Sequence, residues 1–307
     1  MTRSNDLGTA QRWLIPLLAV LPALGMAVWG GMSGEAREVE PIPLGSIPAA
    51  PLVEPALDSM TAPEPYPGEI LERDGIVGQI ASRRDLPDSI GVLMERRLSA
   101  RSGSIEDYLL WLPPGLERGG RAWPVILYLH GRSLRGDDPS MLLRYGLPRY
   151  LAEGRSIPFI VVAPQLHTPG SWTDVDRLAA ILDQVEARYS VDRDRVYLTG
   201  YSMGGGGVWR MALEHADRFA AAVPMAAHTP EPTAVWARAV AELPIRVIHG
   251  AEDESAPPAA ARTMVEFLRR TGADAELRMV EGADHGDLTT VYRDPSLYDW
   301  MLEHRRR

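Results

Sequence analysis

The sequence GYSMG at residues 200–204 could carry chemistry, because it fits the pattern Gly-x-Ser-x-Gly. The residues before it, Arg195–Thr199, are typical of a buried strand, and Met203–His215 is typical of a helix. Between a strand and a helix, this motif forms a tight turn that presents its serine as a nucleophile. We therefore interpret Ser202 as a nucleophile. A phosphate-binding loop is the alternative, but such a loop needs a lysine beside a serine or threonine at its end, and none follows here.

A serine hydroxyl needs a general base, and in this kind of turn the acid and then the histidine follow the serine along the chain. His285 lies in the sequence EGADHG, directly after the last apolar run, Leu277–Val280. A loop at that place can return an imidazole to the serine. The sequence therefore predicts His285 as the base, with His228 as the alternative.

The acid is expected on a loop that follows the preceding strand. The run Ile245–Ile248 leads through HGAED to Asp253, which would orient the imidazole and stabilise its protonated form. Glu252 and Glu254 flank Asp253 and are the alternatives. Asp284, beside the predicted base, is interpreted as a surface carboxylate.

An oxyanion intermediate needs two preorganised amide donors. We predict the Met203 amide, directly after the nucleophile, and the Arg132 amide, in the loop after an earlier strand. The Gly131 amide is the alternative to the second donor. His130, in the same loop, is interpreted as a structural brace and not as the base.

Apolar runs of strand length alternate with amphipathic stretches of helical length along the chain, which predicts a mainly parallel sheet covered by helices on both faces. Further predicted strands are Tyr108–Leu112, Val125–Leu129, Phe159–Ala163 and Ala220–Met225, and further predicted helices are Asp174–Tyr189, Ala259–Arg270 and Ser296–His304.

Residues 108–305 resemble the esterase and "predicted peptidase" branch of the α/β-hydrolases, which is related to feruloyl esterases, polyhydroxybutyrate depolymerases and dienelactone hydrolases. The matching segments are LHG at 129–131, RGDD at 135–138, VAPQ at 162–165 with Trp172, DRVYLTGYSMGG at 194–205, HGAED at 249–253 and GADH at 282–285. The resemblance implies the α/β-hydrolase fold and a Ser202–Asp253–His285 triad. The sequence departs from the family pattern in two places: Arg132 follows the His-Gly pair, and Gly286-Asp287-Leu288 follow His285. Both places are expected on the substrate side of the site, so they bear on specificity and not on the reaction.

The residues and the resemblance together predict cleavage of a small-molecule or polymer-attached carboxylic ester through an acyl-enzyme, without a metal or an organic cofactor. A serine peptidase on the same fold is the first alternative. An inactive hydrolase fold that serves as a binding module is the second.

Composition narrows the function classes. With 32 basic and 41 acidic residues the formal net charge is −9, so nucleic acid is not an expected partner. The chain has no cysteine, which excludes disulfides, thiol nucleophiles and cysteine-bound zinc. The basic triplet Arg305–Arg307 is interpreted as a solvated terminus and not as a binding patch.

The run Trp13–Met32 is long and apolar and follows two arginines, Arg3 and Arg12. It predicts either a membrane anchor or a cleaved signal peptide within residues 1–40, and hence an exported protein that contacts a membrane if the run is retained. Residues 41–67 are proline-rich and are predicted to be a linker.

Residues 68–100 are predicted to be a lead-in segment that contains charged stretches of helical character, such as Ile90–Arg97. The catalytic domain is predicted to span residues 101–307.

Overall fold

A computed structural model describes residues 92–98, 105–116 and 120–306 of the chain. The described residues form eight strands and six α-helices, together with several short 3-10 helices. The strands are β1 (Val92–Arg97), β2 (Ile105–Leu112), β3 (Trp123–Leu129), β4 (Ile160–Leu166), β5 (Val191–Tyr201), β6 (Ala221–Met225), β7 (Ile245–Gly250) and β8 (Ala275–Val280). The helices are α1 (Gly146–Ala152), α2 (Val175–Arg188), α3 (Met203–His215), α4 (Ala234–Ala239), α5 (Ala259–Arg270) and α6 (Pro295–Glu303).

The eight strands form one sheet in the order β1-β2-β4-β3-β5-β6-β7-β8. β2 runs antiparallel to both of its neighbours, β1 and β4. The other six strands, β3 to β8, are all parallel to one another. The predicted mainly parallel sheet is confirmed. Because parallel strands end at one edge, the loops after β3, β5, β7 and β8 meet there, which is where open α/β sheets place their sites.

Burial on both faces explains the apolar runs. Every residue of β3 and of β4 is buried. Alternate residues of β3 enter two separate apolar clusters: Val125 and Leu127 contribute to one, and Ile126 and Tyr128 to the other. Helices α2, α3 and α5 pack into the first cluster and α1 and α6 into the second, so the sheet is covered on both faces as predicted.

The helical character predicted for Ile90–Arg97 is wrong for Val92–Arg97, which forms β1. This strand lies at the sheet edge and pairs antiparallel with β2, with Leu93 opposite Trp111. An edge strand pairs on one side only and tolerates exposed charged residues. Arg97 is such a residue: its side chain is exposed, and its Nε donates to Asp107 Oδ1 at 2.6 Å. The charged composition of the segment therefore did not indicate a helix, and the sheet begins upstream of residue 101, inside the predicted lead-in.

Arg305 and Arg306, at the carboxyl terminus, contact carboxylates. Arg305 Nη2 lies 3.4 Å from Asp192 and 3.5 Å from Asp194, and Arg306 Nη2 lies 3.7 Å from Asp194 Oδ1. These ion pairs fit the prediction for Arg305 and Arg306, while Arg307 lies outside the described residues.

No helix in the described part of the chain combines the length and the apolar character needed to cross a membrane. The run Trp13–Met32 and the proline-rich residues 41–67 lie outside the described residues.

Candidate active site

Ser202 lies in a strained turn between β5 and α3. Its φ and ψ are 56° and −119°, and among the described residues Ala226 is the other non-glycine residue with positive φ. The Ser202 amide donates to the Met225 carbonyl at 2.9 Å, and the Ser202 carbonyl accepts from the Gly206 amide at 3.1 Å. The turn is therefore held by β6 on one side and by the first turn of α3 on the other.

The motif needs glycine at both positions because neither has room for a side chain. A Cβ at Gly200 would lie 2.6 Å from the Gly204 carbonyl oxygen, and a Cβ at Gly204 would overlap the Leu129 carbonyl oxygen at the end of β3. The turn thus brings the strand, the helix and the end of β3 into backbone contact, which is the physical reason for the glycine spacing.

Three of the predicted residues lie together. His285 Nε2 is 2.9 Å from Ser202 Oγ, and His285 Nδ1 is 2.8 Å from Asp253 Oδ2. The Asp253 side chain is fully buried, whereas the His285 side chain is 24% exposed. The second Asp253 oxygen accepts the Ala256 amide at 2.8 Å. The imidazole can therefore take a proton from the hydroxyl while a buried carboxylate holds its other nitrogen.

The alternatives from the sequence lie elsewhere. Glu252, Glu254 and His228 are exposed. Asp284 is exposed as well, and its carboxylate accepts the Asp287 amide at 3.1 Å while its own amide donates to Asp287 at 3.0 Å. Glu252, Glu254 and Asp284 are therefore surface carboxylates, and Asp284 stabilises a turn of its own loop.

The two predicted oxyanion donors occupy equivalent places. Met203 is the first residue of α3, and Arg132 is the first residue of a 3-10 helix, Arg132–Leu134. First-turn amides have no acceptor within their own helix, and among the described residues neither of these two amides finds one elsewhere. The Arg132 side chain is exposed. One free donor therefore directly follows Ser202, and the other lies at the start of the 3-10 helix after β3.

Known proteins show the same architecture. A model of the dienelactone hydrolase family matches residues 159–296. A solved structure of a thermostable esterase is 24% identical, with a TM-score of 0.59, and covers 70% of this chain and 63% of that one. A ferulic acid esterase structure is 19% identical, with a TM-score of 0.54, and covers 69% of this chain and 96% of that one. The chain has the α/β-hydrolase fold.

Sequence relatives agree with the predicted esterase branch of the superfamily. NocK of Nocardia uniformis subsp. tsuyamanensis, which carries the name of an esterase, is 29% identical over 219 residues, 68% of this chain. The bifunctional acetylxylan esterase/xylanase XynS20E of Neocallimastix patriciarum is 30% identical over 139 residues, which is 43% of this chain. The matched regions are 60% and 19% of the lengths of those two proteins.

His130 braces the loop that carries the Arg132 amide. Its Nε2 accepts the Leu166 amide at 3.1 Å, so the proton is on Nδ1, which donates to the Gly131 carbonyl at 2.7 Å. Trp172 Nε1 donates to the His130 carbonyl at 3.0 Å. Burial lowers the pKa of His130 to about 4, so the ring is neutral at pH 7. These contacts fit the bracing role that the sequence predicted.

Sequence reasoning did not assign Gln165 and Arg135 a positioning function. Gln165 is fully buried, and its Nε2 donates to the Leu134 and Gly136 carbonyls at 2.7 and 3.0 Å. Arg135 Nη1 donates to the Pro169 and Gly170 carbonyls at 2.9 and 3.0 Å. A polar side chain at the end of a fully buried strand was the available signal for Gln165, because buried amides need partners.

His249 was also missed as part of the site. It is fully buried at the end of β7, and its Nε2 lies 2.5 Å from the Ala256 carbonyl and 3.4 Å from Asp253 Oδ2. Burial lowers the pKa of His249 and keeps the ring neutral. His249 therefore supports the loop that presents Asp253. In the described ranges no group of three His, Cys, Asp or Glu side chains is placed to hold a metal ion.

Proposed function

We propose that this protein is an α/β-hydrolase that cleaves carboxylic esters through an acyl-enzyme on Ser202. The observation that carries the proposal is the continuous contact from Ser202 Oγ through the His285 ring to the buried Asp253 carboxylate, at 2.9 and 2.8 Å. Such a chain of contacts lets a hydroxyl lose its proton as it attacks a carbonyl.

In the first step, His285 Nε2 takes the Ser202 proton while Oγ bonds to the ester carbonyl carbon. The resulting oxyanion accepts from the Met203 and Arg132 amides, and Asp253 stabilises the protonated imidazole. His285 then gives its proton to the leaving alcohol oxygen, and the carbon–oxygen bond to the alcohol breaks. A water molecule, deprotonated by His285, attacks the acyl-enzyme in the same way and releases the acid.

For the substrate we propose a small-molecule or polymer-attached ester. The names of the relatives include an acetylxylan esterase and a ferulic acid esterase, so acetyl and aromatic acyl esters are the first to test. A panel of acetyl, feruloyl and longer acyl esters, with peptide anilides alongside, would separate ester cleavage from amide cleavage.

The decisive test is Ser202→Ala, assayed with a short-chain nitrophenyl ester. We expect the loss of at least about a thousandfold in kcat, because the nucleophile is removed while the packing stays intact. Ser190→Ala is a matched control, since Ser190 is exposed and lies near the opposite end of β5. Turnover by Ser202→Ala at the rate of the control would refute the proposal. Failure of a fluorophosphonate probe to label Ser202 would favour an inactive binding module.

For localisation we propose export, with Trp13–Met32 acting as an anchor or as a cleaved signal. The basis is its apolar length behind Arg3 and Arg12. Cell fractionation with sizing of the product tests the proposal: a full-length protein in the cytoplasmic fraction would refute it.

A further inference from the structure

Tyr201 links the nucleophile to the base through its hydroxyl. It is the last residue of β5, directly before Ser202, and it is 6% exposed. Its hydroxyl donates to the backbone carbonyl of His285 at 2.9 Å. The residue beside the nucleophile is therefore hydrogen-bonded to the main chain of the residue that carries the base.

The ring of Tyr201 also fills the space between three segments of the site. Its centroid is 5.2 Å from that of the His285 ring and 5.9 Å from that of the Tyr145 ring, which meets it edge-on. The loop after β3, residues 130–135, carries the Arg132 amide and is called the oxyanion loop. On this side of the ring, a Cβ added to Gly131 would lie 3.2 Å from Tyr201 Cδ1. Packing of this kind leaves the ring, and so its hydroxyl, little freedom to move.

The base needs such a support because it lies on a loop. His285 follows β8 and precedes the 3-10 helix Gly286–Arg293. Its imidazole has to meet Ser202 Oγ and Asp253 Oδ2 at the same time, at 2.9 and 2.8 Å. A shift of the loop backbone would disturb these two contacts, whereas the strand that carries Tyr201 is held on both sides by parallel neighbours.

We propose that Tyr201 is a positioning residue that sets the distance between His285 and Ser202 through its hydroxyl. The inference rests on the proposed ester hydrolysis. Because Tyr201 and Ser202 are consecutive residues, a bond from one to the base loop fixes that loop relative to the other. Loss of the hydroxyl should slow proton transfer from Ser202 and leave substrate binding largely unchanged.

A bond of the same kind on the same strand supplies the control. The hydroxyl of Tyr197, also in β5, donates to the His304 carbonyl at 2.9 Å, and its ring is fully buried. Its acceptor belongs to the carboxyl-terminal segment after α6 and not to the site. Tyr197→Phe and Tyr201→Phe thus each remove one hydroxyl-to-carbonyl bond and leave the ring in place.

The experiment compares kcat, KM and the thermal midpoint for both variants and the parent, with a nitrophenyl ester as substrate. We expect Tyr201→Phe to lower kcat roughly ten- to a hundredfold, since small misplacements of reacting groups have effects of that order. Its KM should stay within about twofold of the parent, and Tyr197→Phe should change neither constant. The thermal midpoints of the two variants should fall by similar amounts.

Two outcomes would overturn the inference. One is parental kcat for Tyr201→Phe, and the other is a Tyr201→Phe protein that fails to fold while Tyr197→Phe folds, which would show that the bond serves the fold. Ser202→Ala, assayed in parallel, separates this inference from the proposed function. If Ser202→Ala is active, the proposed function is wrong; if it is inactive and Tyr201→Phe matches the parent, the role of Tyr201 alone is wrong.

Discussion

Acidification should destabilise this protein through His130, whose neutral ring is built into the oxyanion loop. Nε2 of the ring accepts the Leu166 amide, so a second proton would remove that acceptor and place a charge among buried groups. Burial lowers the pKa of His130 from the ordinary value of 6.5 to about 4. As the pH falls, the unfolded chain therefore takes up this proton before the folded chain does, and stability is lost from about pH 6.5 down to about pH 4.

The size of the effect follows from the two pKa values. One pKa unit corresponds to about 1.4 kcal/mol, so complete protonation should lower the free energy of unfolding by about 3 kcal/mol. At pH 5 the linkage relation gives about 2 kcal/mol, since the unfolded state is almost fully protonated there and the folded state is not. Below the folded pKa the loss should level off.

Urea unfolding of the parent and of His130→Gln, each at about pH 7 and pH 5, measures this loss. Glutamine stays neutral across the range, so the parent should lose about 2 kcal/mol more than the variant on acidification. The other titrating groups, including His249, whose pKa burial also lowers, are common to both proteins and cancel in the comparison. Equal losses in the two proteins would refute the assignment of a neutral buried His130.

Two further predictions concern the acid and the turn. Asp253→Asn should lower kcat about a thousandfold or more, because the amide cannot stabilise the protonated imidazole of His285. Glu252→Gln, at an exposed position, should have little effect on kcat. Steady-state kinetics that reverse this order would place the acid at Glu252. Gly204→Ala should abolish activity and destabilise the fold by several kcal/mol, because the added Cβ would overlap the Leu129 carbonyl. Gly206→Ala is the control: its added Cβ would meet no atom within 4 Å, so it should stabilise the fold by about 0.5–1 kcal/mol in the same urea unfolding assay. Equal unfolding midpoints for the two variants would contradict the steric argument.

Elements with strong local patterns could be predicted from the sequence. α3 and α5 have the predicted bounds, Met203–His215 and Ala259–Arg270, because the apolar period of each fits the face it buries. β1 could not be predicted, since an edge strand need not be apolar and Val92–Arg97 carries three charged residues. The short helices α1 and α4 were not predicted either; both are too brief to show a full apolar period.

For the site, chain order and loop position predicted which residues to bring together, and the structure brings Ser202, His285 and Asp253 into contact. The groups that support them were harder to find. Tyr201 meets His285 across 84 positions, and Gln165 meets Leu134 across 31. Such partners depend on the order of the strands in the sheet, and the local sequence pattern does not reveal that order.

The placement of buried polar residues bears on how the site works. Among the described residues, six polar or charged side chains are buried, and four of them, His130, Gln165, His249 and Asp253, lie at or just beyond the carboxyl ends of β3, β4 and β7. Burying a polar group is unfavourable unless it is hydrogen-bonded, and each of these four side chains bonds to a loop backbone at that edge. The oxyanion loop and the loop after β7 that carries Asp253 are therefore held in place before any substrate arrives. Since preorganised donors need no reorganisation at the moment of reaction, these buried bonds support the chemistry that we propose for Ser202.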